Sequence, residues 1–168
     1  MADKKTISHT SDNDLTHSMA HYLLTIHKLK EDKGYARVTD IAKELGLTKG
    51  SVSTALTNLK KRDLVVEDES KFLSLSSLGH EEVHRILSVR TLMFYFLKDV
   101  LDVKESIAHK DSCLVEHLLS DDTTKGLFKF MQKIVKNPKS ISLKTNLNID
   151  EFKNHDDFLE AQKGDKYL

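Results

Sequence analysis

Cys113, Glu116 and His117 set a thiol, a carboxylate and an imidazole at spacings of three and four residues, and His109 lies four residues before the cysteine. On a helix these four side chains share one face, about a turn apart. Thiolate, carboxylate and imidazole are the donors that hold first-row divalent metals. The competing expectation is bland: a lone cysteine on a helix is usually a small core residue. A second pattern, His80-Glu81-Glu82-Val83-His84, matches the H-E-x-x-H spacing of zinc peptidases, with Glu81 as the formal base. No third ligand stands near it in the sequence, and the chain is short for a catalytic cleft. Two solvent-facing histidines are the ordinary expectation, and no enzyme is expected.

The elements that position these residues read as mainly helical. A polar tail precedes a first helix, for which Ser11 to Asp14 offer capping side chains. Met19, Tyr22, Leu23, Ile26 and Leu29 form its buried stripe, and Gly34 supplies the stop. Asp40 opens a two-turn helix over 41–45, ended by Gly46, and Thr48 caps the next. In that helix Val52, Ala55, Leu56 and Leu59 face inward, while Gly50, Thr54, Thr57 and Lys61 face outward. Two short strands follow, 64–66 and 72–75, with Glu67 to Lys71 as the tip between them. Helices are expected over 77–101, 107–119 and 121–135, the last stopped by Asn137-Pro138. Residues 149–162 are expected to form a terminal helix.

Two short helices joined at Leu45-Gly46-Leu47, followed by a pair of strands, make a winged helix-turn-helix, the geometry of major-groove DNA binding. The second helix carries small or polar residues at its start, Gly50, Ser51 and Thr54, with Lys49 placed to reach a phosphate. Lys49, Lys60, Lys61 and Arg62 stand against one anion, Asp63. Phosphate contacts of this kind give affinity and salt dependence, whereas base contacts give sequence choice. No arginine at the helix start is placed to fork onto guanine, so specificity falls to Ser and Thr contacts, thymine methyls and DNA shape. The acidic wing edge from Glu67 to Glu69 leaves Lys71 as its one plausible contact.

Composition sets the limits. Among 168 residues, Lys+Arg and Asp+Glu number 26 each, so a globally basic protein is excluded and any nucleic-acid surface must be local. The single cysteine cannot form an intramolecular disulfide, and a reducing cytoplasm is expected. No signal peptide is seen, and the longest strongly apolar run, Leu92 to Leu97, is too short to span a bilayer, so no membrane partner is expected.

The stretch SMAHYLLTIHKLKEDKGYARVTDIAKEL from Ser18 to Leu45, the wing exit LSLSSLG from Leu73 to Gly79, and CLVEH from Cys113 to His117 together resemble the diphtheria toxin repressor family of metal-dependent regulators. The likeness is nearest to its manganese-transport-regulator branch and runs over about residues 15–136. It implies an N-terminal winged helix-turn-helix, a long connecting helix and an all-helical dimerisation domain. The implied division is a flexible tail at 1–13, a DNA-binding domain at 14–77, a metal-binding and dimerisation domain at 78–147, and a terminal helix or tail at 148–168. The third domain of longer members is not expected. The implied protein is a homodimeric repressor of metal-homeostasis genes that binds a palindromic double-stranded DNA operator, with metal as co-repressor.

Carried over position by position, the resemblance makes Cys113, Glu116 and His117 metal ligands. His21 falls where the family uses methionine or aspartate, and His109 matches a second-site ligand. Three positions depart: Arg90 replaces a ligating histidine, Phe94 a carboxylate ligand and Leu24 a first-helix carboxylate. One mononuclear site is therefore expected rather than two, from His21, Cys113, Glu116 and His117 with His109 as an extra ligand or supporting partner, iron(II) being favoured and zinc or manganese the alternatives. The DNA-reading residues are expected to be Thr48, Lys49, Gly50, Ser51, Thr54, Thr57, Lys61 and Lys71. A dimer interface is expected from Leu92, Met93, Phe94, Phe96 and Leu97 with Leu118, Leu119 and Phe128, which would otherwise be intramolecular core. The alternative function is a winged-helix regulator that has lost metal dependence and responds to another ligand, a reading that Arg90 raises by placing a fixed cation where a second metal would sit.

Overall fold

A computed structural model of the chain describes residues 15–136 and 152–161. The first helix, α1 (His17–Lys33), starts where the Thr16 hydroxyl accepts the Met19 amide at 3.3 Å. It begins later than the Ser11 to Asp14 caps suggested, and those residues lie outside the described range, as does Asn137-Pro138. Gly34, at φ 77, closes α1 by donating to the Lys30 carbonyl. Such left-handed geometry is what glycine allows at a helix end.

α2 (Val38–Leu45) begins two residues before Asp40, since Arg37 is already extended. Gly46, at φ 65, makes the tight turn, and Thr48 accepts the Ser51 amide to start α3 (Lys49–Lys61). Strands β1 (Val65–Glu67) and β2 (Leu73–Leu75) pair antiparallel, with Val65 opposite Leu75 and Glu67 opposite Leu73. Ala36 adds a single bridge to Leu73, which ties the loop after α1 to the wing. Leu23, Ile26, Leu29, Ile41, Val52, Leu56, Leu59 and Leu73 fill the core between these elements and the start of the next helix.

That helix, α4 (Ser77–Tyr95), is capped by Ser76, whose hydroxyl accepts the Gly79 amide at 3.0 Å. Gly79 packs so closely on β1's approach that a Cβ there would stand 2.0 Å from the Leu64 carbonyl oxygen. α4 ends at Tyr95, earlier than the periodicity indicated, and passes into a π-helical turn over 96–100. α5 (Glu105–Val115) is also shorter than expected: Glu116 is its C-cap and His117 lies past the last turn. α6 (Asp121–Lys136) and α7 (His155–Ala161) complete a second core of Leu92, Phe128, Met131 and Phe158. The terminal helix expected over 149–162 is thus present over its second half. Leu92, Phe94 and Phe128 are buried within the chain, so these three belong to the core and not to an exposed pairing surface.

Candidate metal centre and DNA-reading face

α1 and α5 meet at their polar faces. His17 and His21, four residues apart, stand on one side of α1, with their Nε2 atoms 3.1 Å apart. Cys113, from α5, brings its Sγ to 3.7 Å from His21 Nε2. Ligand atoms of His17, His21 and Cys113 all lie within 4.8 Å of one another. Zinc bonds of about 2.0–2.1 Å to nitrogen and about 2.3 Å to sulfur give tetrahedral edges of roughly 3.3 Å (N to N) and 3.6 Å (N to S). The two shortest separations match those edges to within a few tenths of an ångström. His117 borders the group through His17, at 5.1 Å between ring centres.

Burial keeps two of the imidazoles in the form that binds metal. Burial, followed by the charges of His17, Arg90 and His117, lowers the His21 pKa, and burial lowers that of His117. Both imidazoles therefore favour the neutral form that binds metal. Burial and then Glu116 raise the Cys113 thiol, against the opposing pull of Arg90. Among the described residues, the buried Nδ1 atoms of His17 and His117 have no hydrogen-bond partner within the protein. Two imidazoles, a thiol and orphaned ring nitrogens thus fit a divalent ion of moderate softness.

Glu116 behaves differently from the expectation. It is 0 % exposed, and Arg90 donates to both carboxylate oxygens, through Nε to one and through a terminal nitrogen to the other at 2.8 Å. A second contact runs from Arg90 to Cys113 Sγ at 3.9 Å. Burial raises the Glu116 pKa despite the opposing pull of Arg90 and His17. The carboxylate is a partner of the guanidinium rather than a free donor. His109 is likewise separate from the close group: its ring stacks on Phe94 at 4.2 Å, and it lines the far side of an open cleft shared with His21, Leu24, Arg90 and Cys113. Sequence reasoning missed His17, although the spacing His17-x-x-x-His21 was there to be read.

On the opposite part of the head, Thr48, Lys49, Gly50, Ser51, Thr54, Thr57 and Lys61 are all exposed on α3 or at its cap. Thr54 and Thr57 donate their hydroxyls to the carbonyls of Gly50 and Ser53 at 3.1 and 2.9 Å. Lys60 is not free as the charge count assumed, because Glu67 of the wing pairs with it. Glu67 also meets Lys71 at 3.3 Å, so the acidic wing edge is partly neutralised. Ser53 and Asn58 are exposed on the same helix and add to the polar surface.

Two family descriptions match the chain in succession: "Iron dependent repressor, N-terminal DNA binding domain" over residues 14–72, and "Iron dependent repressor, metal binding and dimerisation domain" over residues 76–142. The chain belongs to the iron-dependent repressor family. It is 31% identical over 147 residues to the HTH-type transcriptional regulator MntR of Shouchella clausii, a match covering 88% of this chain and 99% of that one. To MntR of Bacillus subtilis it is 34% identical over 105 residues, covering 62% of this chain and 73% of that one. Among solved structures, the manganese regulator SloR superposes with a TM-score of 0.61 at 25% identity, over 70% of this chain and 54% of that chain. ScaR with bound Zn2+ superposes with a TM-score of 0.58 at 21% identity, over 67% of this chain and 53% of that chain, which speaks to the fold.

Membership makes this iron-dependent-repressor chain a DNA-binding transcriptional regulator of a family that binds divalent metals and dimerises, and not an enzyme. Among the described residues, no helix is long and apolar enough to cross a membrane.

Proposed function

We propose that this chain is a cytoplasmic, homodimeric repressor whose operator binding is switched by one divalent ion held between its reading head and its body. His21, His17 and Cys113 would hold the ion, with His117 as the fourth donor. Glu116 is assigned to Arg90, and His109 to the cleft wall beside the site. The bound ion supplies a shared positive centre that ties helix α1 to helix α5. The observation that supports this most directly is the 3.7 Å approach of His21 Nε2, on the DNA-binding side, to Cys113 Sγ on the other.

The protein residues do the rest. α1 packs against α2, α3, β2 and α4, so fixing His21 and His17 fixes the support of the recognition helix. Two heads held in a dimer would then present their α3 helices one DNA turn apart, about 34 Å, or a multiple of it, to a palindromic operator. Lys49 and Lys61 would take phosphates, with Lys71 at the wing tip. Thr48, Gly50, Ser51, Thr54 and Thr57 would lie against base edges. Ile107, Leu114 and Leu118, exposed on and just after α5, would contribute to pairing; Leu118 is 70% exposed in the single chain. Division of labour between head and body would fall near residue 77.

A thiol with two or three imidazoles is softer than manganese prefers, so iron(II) and zinc are the proposed ions. The test is binding of labelled DNA from the chain's own promoter region, in chelator and then ion by ion, with iron handled without oxygen. A 5- to 150-fold gain with iron(II) or zinc corresponds to a coupling of about 1–3 kcal/mol. Equal affinity in chelator and in every ion would reject metal control and leave a regulator governed by another ligand.

A further inference from the structure

The H-E-x-x-H pattern, expected to face solvent with both histidines, is split: His80 is exposed and His84 is buried. Among the described residues, the one set of three metal donors that converges is His17, His21 and Cys113. That set is two imidazoles and a thiol, with no oxygen. The carboxylate one turn beyond Cys113, that of Glu116, is held by Arg90 instead. Arg90 Nε donates to one carboxylate oxygen, and Arg90 Nη2 donates to the other at 2.8 Å. The same Nη2 reaches Cys113 Sγ at 3.9 Å, so one guanidinium nitrogen contacts both the carboxylate and the thiol.

We propose that Arg90 sets which ion the centre accepts: it withholds the Glu116 oxygens and so selects iron(II) and zinc(II) against manganese(II). The inference rests on the reading of His17, His21 and Cys113 as ligands. Manganese(II) is the weakest binder among the first-row divalent ions and prefers carboxylate, carbonyl and water oxygens, whereas imidazole and thiolate suit zinc and iron. A carboxylate beside the thiol would narrow that difference, and Arg90 occupies both of its oxygens. The Glu116 side chain has no exposure, and that of Arg90 is 18% exposed. An ion that drew Glu116 away would leave a largely buried guanidinium without its matching carboxylate, which is costly. The planar fork matters here, because an ammonium is a point charge and cannot hold two carboxylate oxygens in parallel.

Charge acts in the same direction. The guanidinium is a fixed cation in contact with the thiol, so an ion approaching from the Glu116 side meets like charge and no free oxygen. One ion per chain follows. Arg90 has no lone pair to offer a metal, so it acts through Glu116 and is a positioning residue, not a ligand.

The test measures zinc(II) and manganese(II) affinities of the full chain by chelator competition, with electron paramagnetic resonance of free manganese as a second reading. In Glu116→Gln, which keeps the side chain's shape and an acceptor for Arg90, the ratio of zinc to manganese affinity is expected to match the wild type. In Arg90→Met the freed carboxylate is expected to raise manganese affinity relative to zinc by about tenfold or more. Adding Glu116→Gln to Arg90→Met should abolish that gain. An equal rise for both ions in Arg90→Met would reflect charge alone and overturn the proposal. So would a loss of manganese relative to zinc of about tenfold in Glu116→Gln, since Glu116 would then be a ligand. Should Arg90→Met fail to fold, Arg90→Lys keeps the cation without the fork and is expected to shift the ratio the same way; a ratio it leaves unmoved overturns the proposal. Cobalt(II) separates this inference from the reading beneath it. A thiolate charge-transfer band in the wild type that is lost in Cys113→Ser establishes the centre. Without that band the centre itself falls; with the band and an unmoved ratio, only the role of Arg90 falls.

Discussion

Arg90 grips both oxygens of Glu116, a carboxylate with no exposure to solvent. The pair joins α4 to the end of α5 directly beside Cys113. A buried carboxylate is tolerated because its charge is matched and its lone pairs are occupied; removal of one partner leaves the other stranded. Arg90→Met is therefore expected to cost about 3–5 kcal/mol in chemical unfolding. Arg90→Met combined with Glu116→Gln should recover most of that loss. If Arg90→Met unfolds like the wild type, the pair is not holding the two helices.

In the proposed centre His17 would supply a donor at the half-buried rim. His17→Ala is expected to weaken ion binding about tenfold or more in chelator competition. Its stability in chelator should stay close to that of the wild type, since the ring does not fill the core. Cys113→Ser should weaken binding of soft ions more than of manganese. Equal affinity of His17→Ala and wild type for every ion would remove His17 from the site.

Lys49 is exposed in the first turn of α3, whereas Lys60 is paired with Glu67. Lys49→Ala should lower DNA affinity and reduce the slope of log affinity against log salt by about 1. Glu67→Gln should do the reverse, since it removes an anion and releases Lys60, steepening the slope by about 1. Filter or anisotropy titrations over a salt series measure both. A Glu67→Gln protein that binds DNA more weakly would show that the wing acid helps rather than hinders.

Gly79 sits in the first turn of α4, where alanine would ordinarily favour the helix. Here the added methyl would meet the Leu64 carbonyl at 2.0 Å, so backbone must move. Gly79→Ala is expected to destabilise by about 1–3 kcal/mol. Urea unfolding of the two proteins decides it, and a more stable alanine variant would contradict the packing.

His155 is buried on α7, and its Nε2 shares a 3.0 Å hydrogen bond with the buried Ser88 hydroxyl of α4. Burial lowers its pKa from 6.5, with Asp156 opposing and Lys125 assisting. A depressed histidine pKa means that the unfolded chain takes up the proton first. The contribution is full above pH 6.5 and is lost as pH falls below it. His21, His27 and His117 are depressed as well and add the same sign. The unfolding midpoint should thus drop from pH 7.5 to 5.5, and His155→Gln should flatten part of that slope. A midpoint that rises on acidification would refute the assignment.

The head was legible because its signals are local. Gly34, Gly46 and Thr48 sit where the chain turns, and Val52, Leu56 and Leu59 repeat at helical spacing, so α3 and its exposed face follow from sequence. The ends of α4 and α5 were not legible, because a π-helical turn and a C-cap at Glu116 depend on packing between helices. Cys113 stands 3.7 Å from His21, a neighbourhood that family likeness and not spacing suggests. His17 escaped notice although it lies four residues before His21, whereas the approach of His27 to His80 and His84 joins residues far apart in the chain. Arg90 was seen as a possible substitute for a metal; that it would capture Glu116 required the geometry.

Helix α1 is a rod of 17 residues, about 25 Å long. Its opening turns carry His17 and His21, and its middle and far turns carry Leu23, Ile26 and Leu29 beneath the helix-turn-helix. A rod gripped at one end and loaded at the other is a lever. Sub-ångström adjustments around the histidines would swing the loaded end by more than their own size, and on the proposed reading a tiny ion would thereby govern how a whole domain faces a double helix.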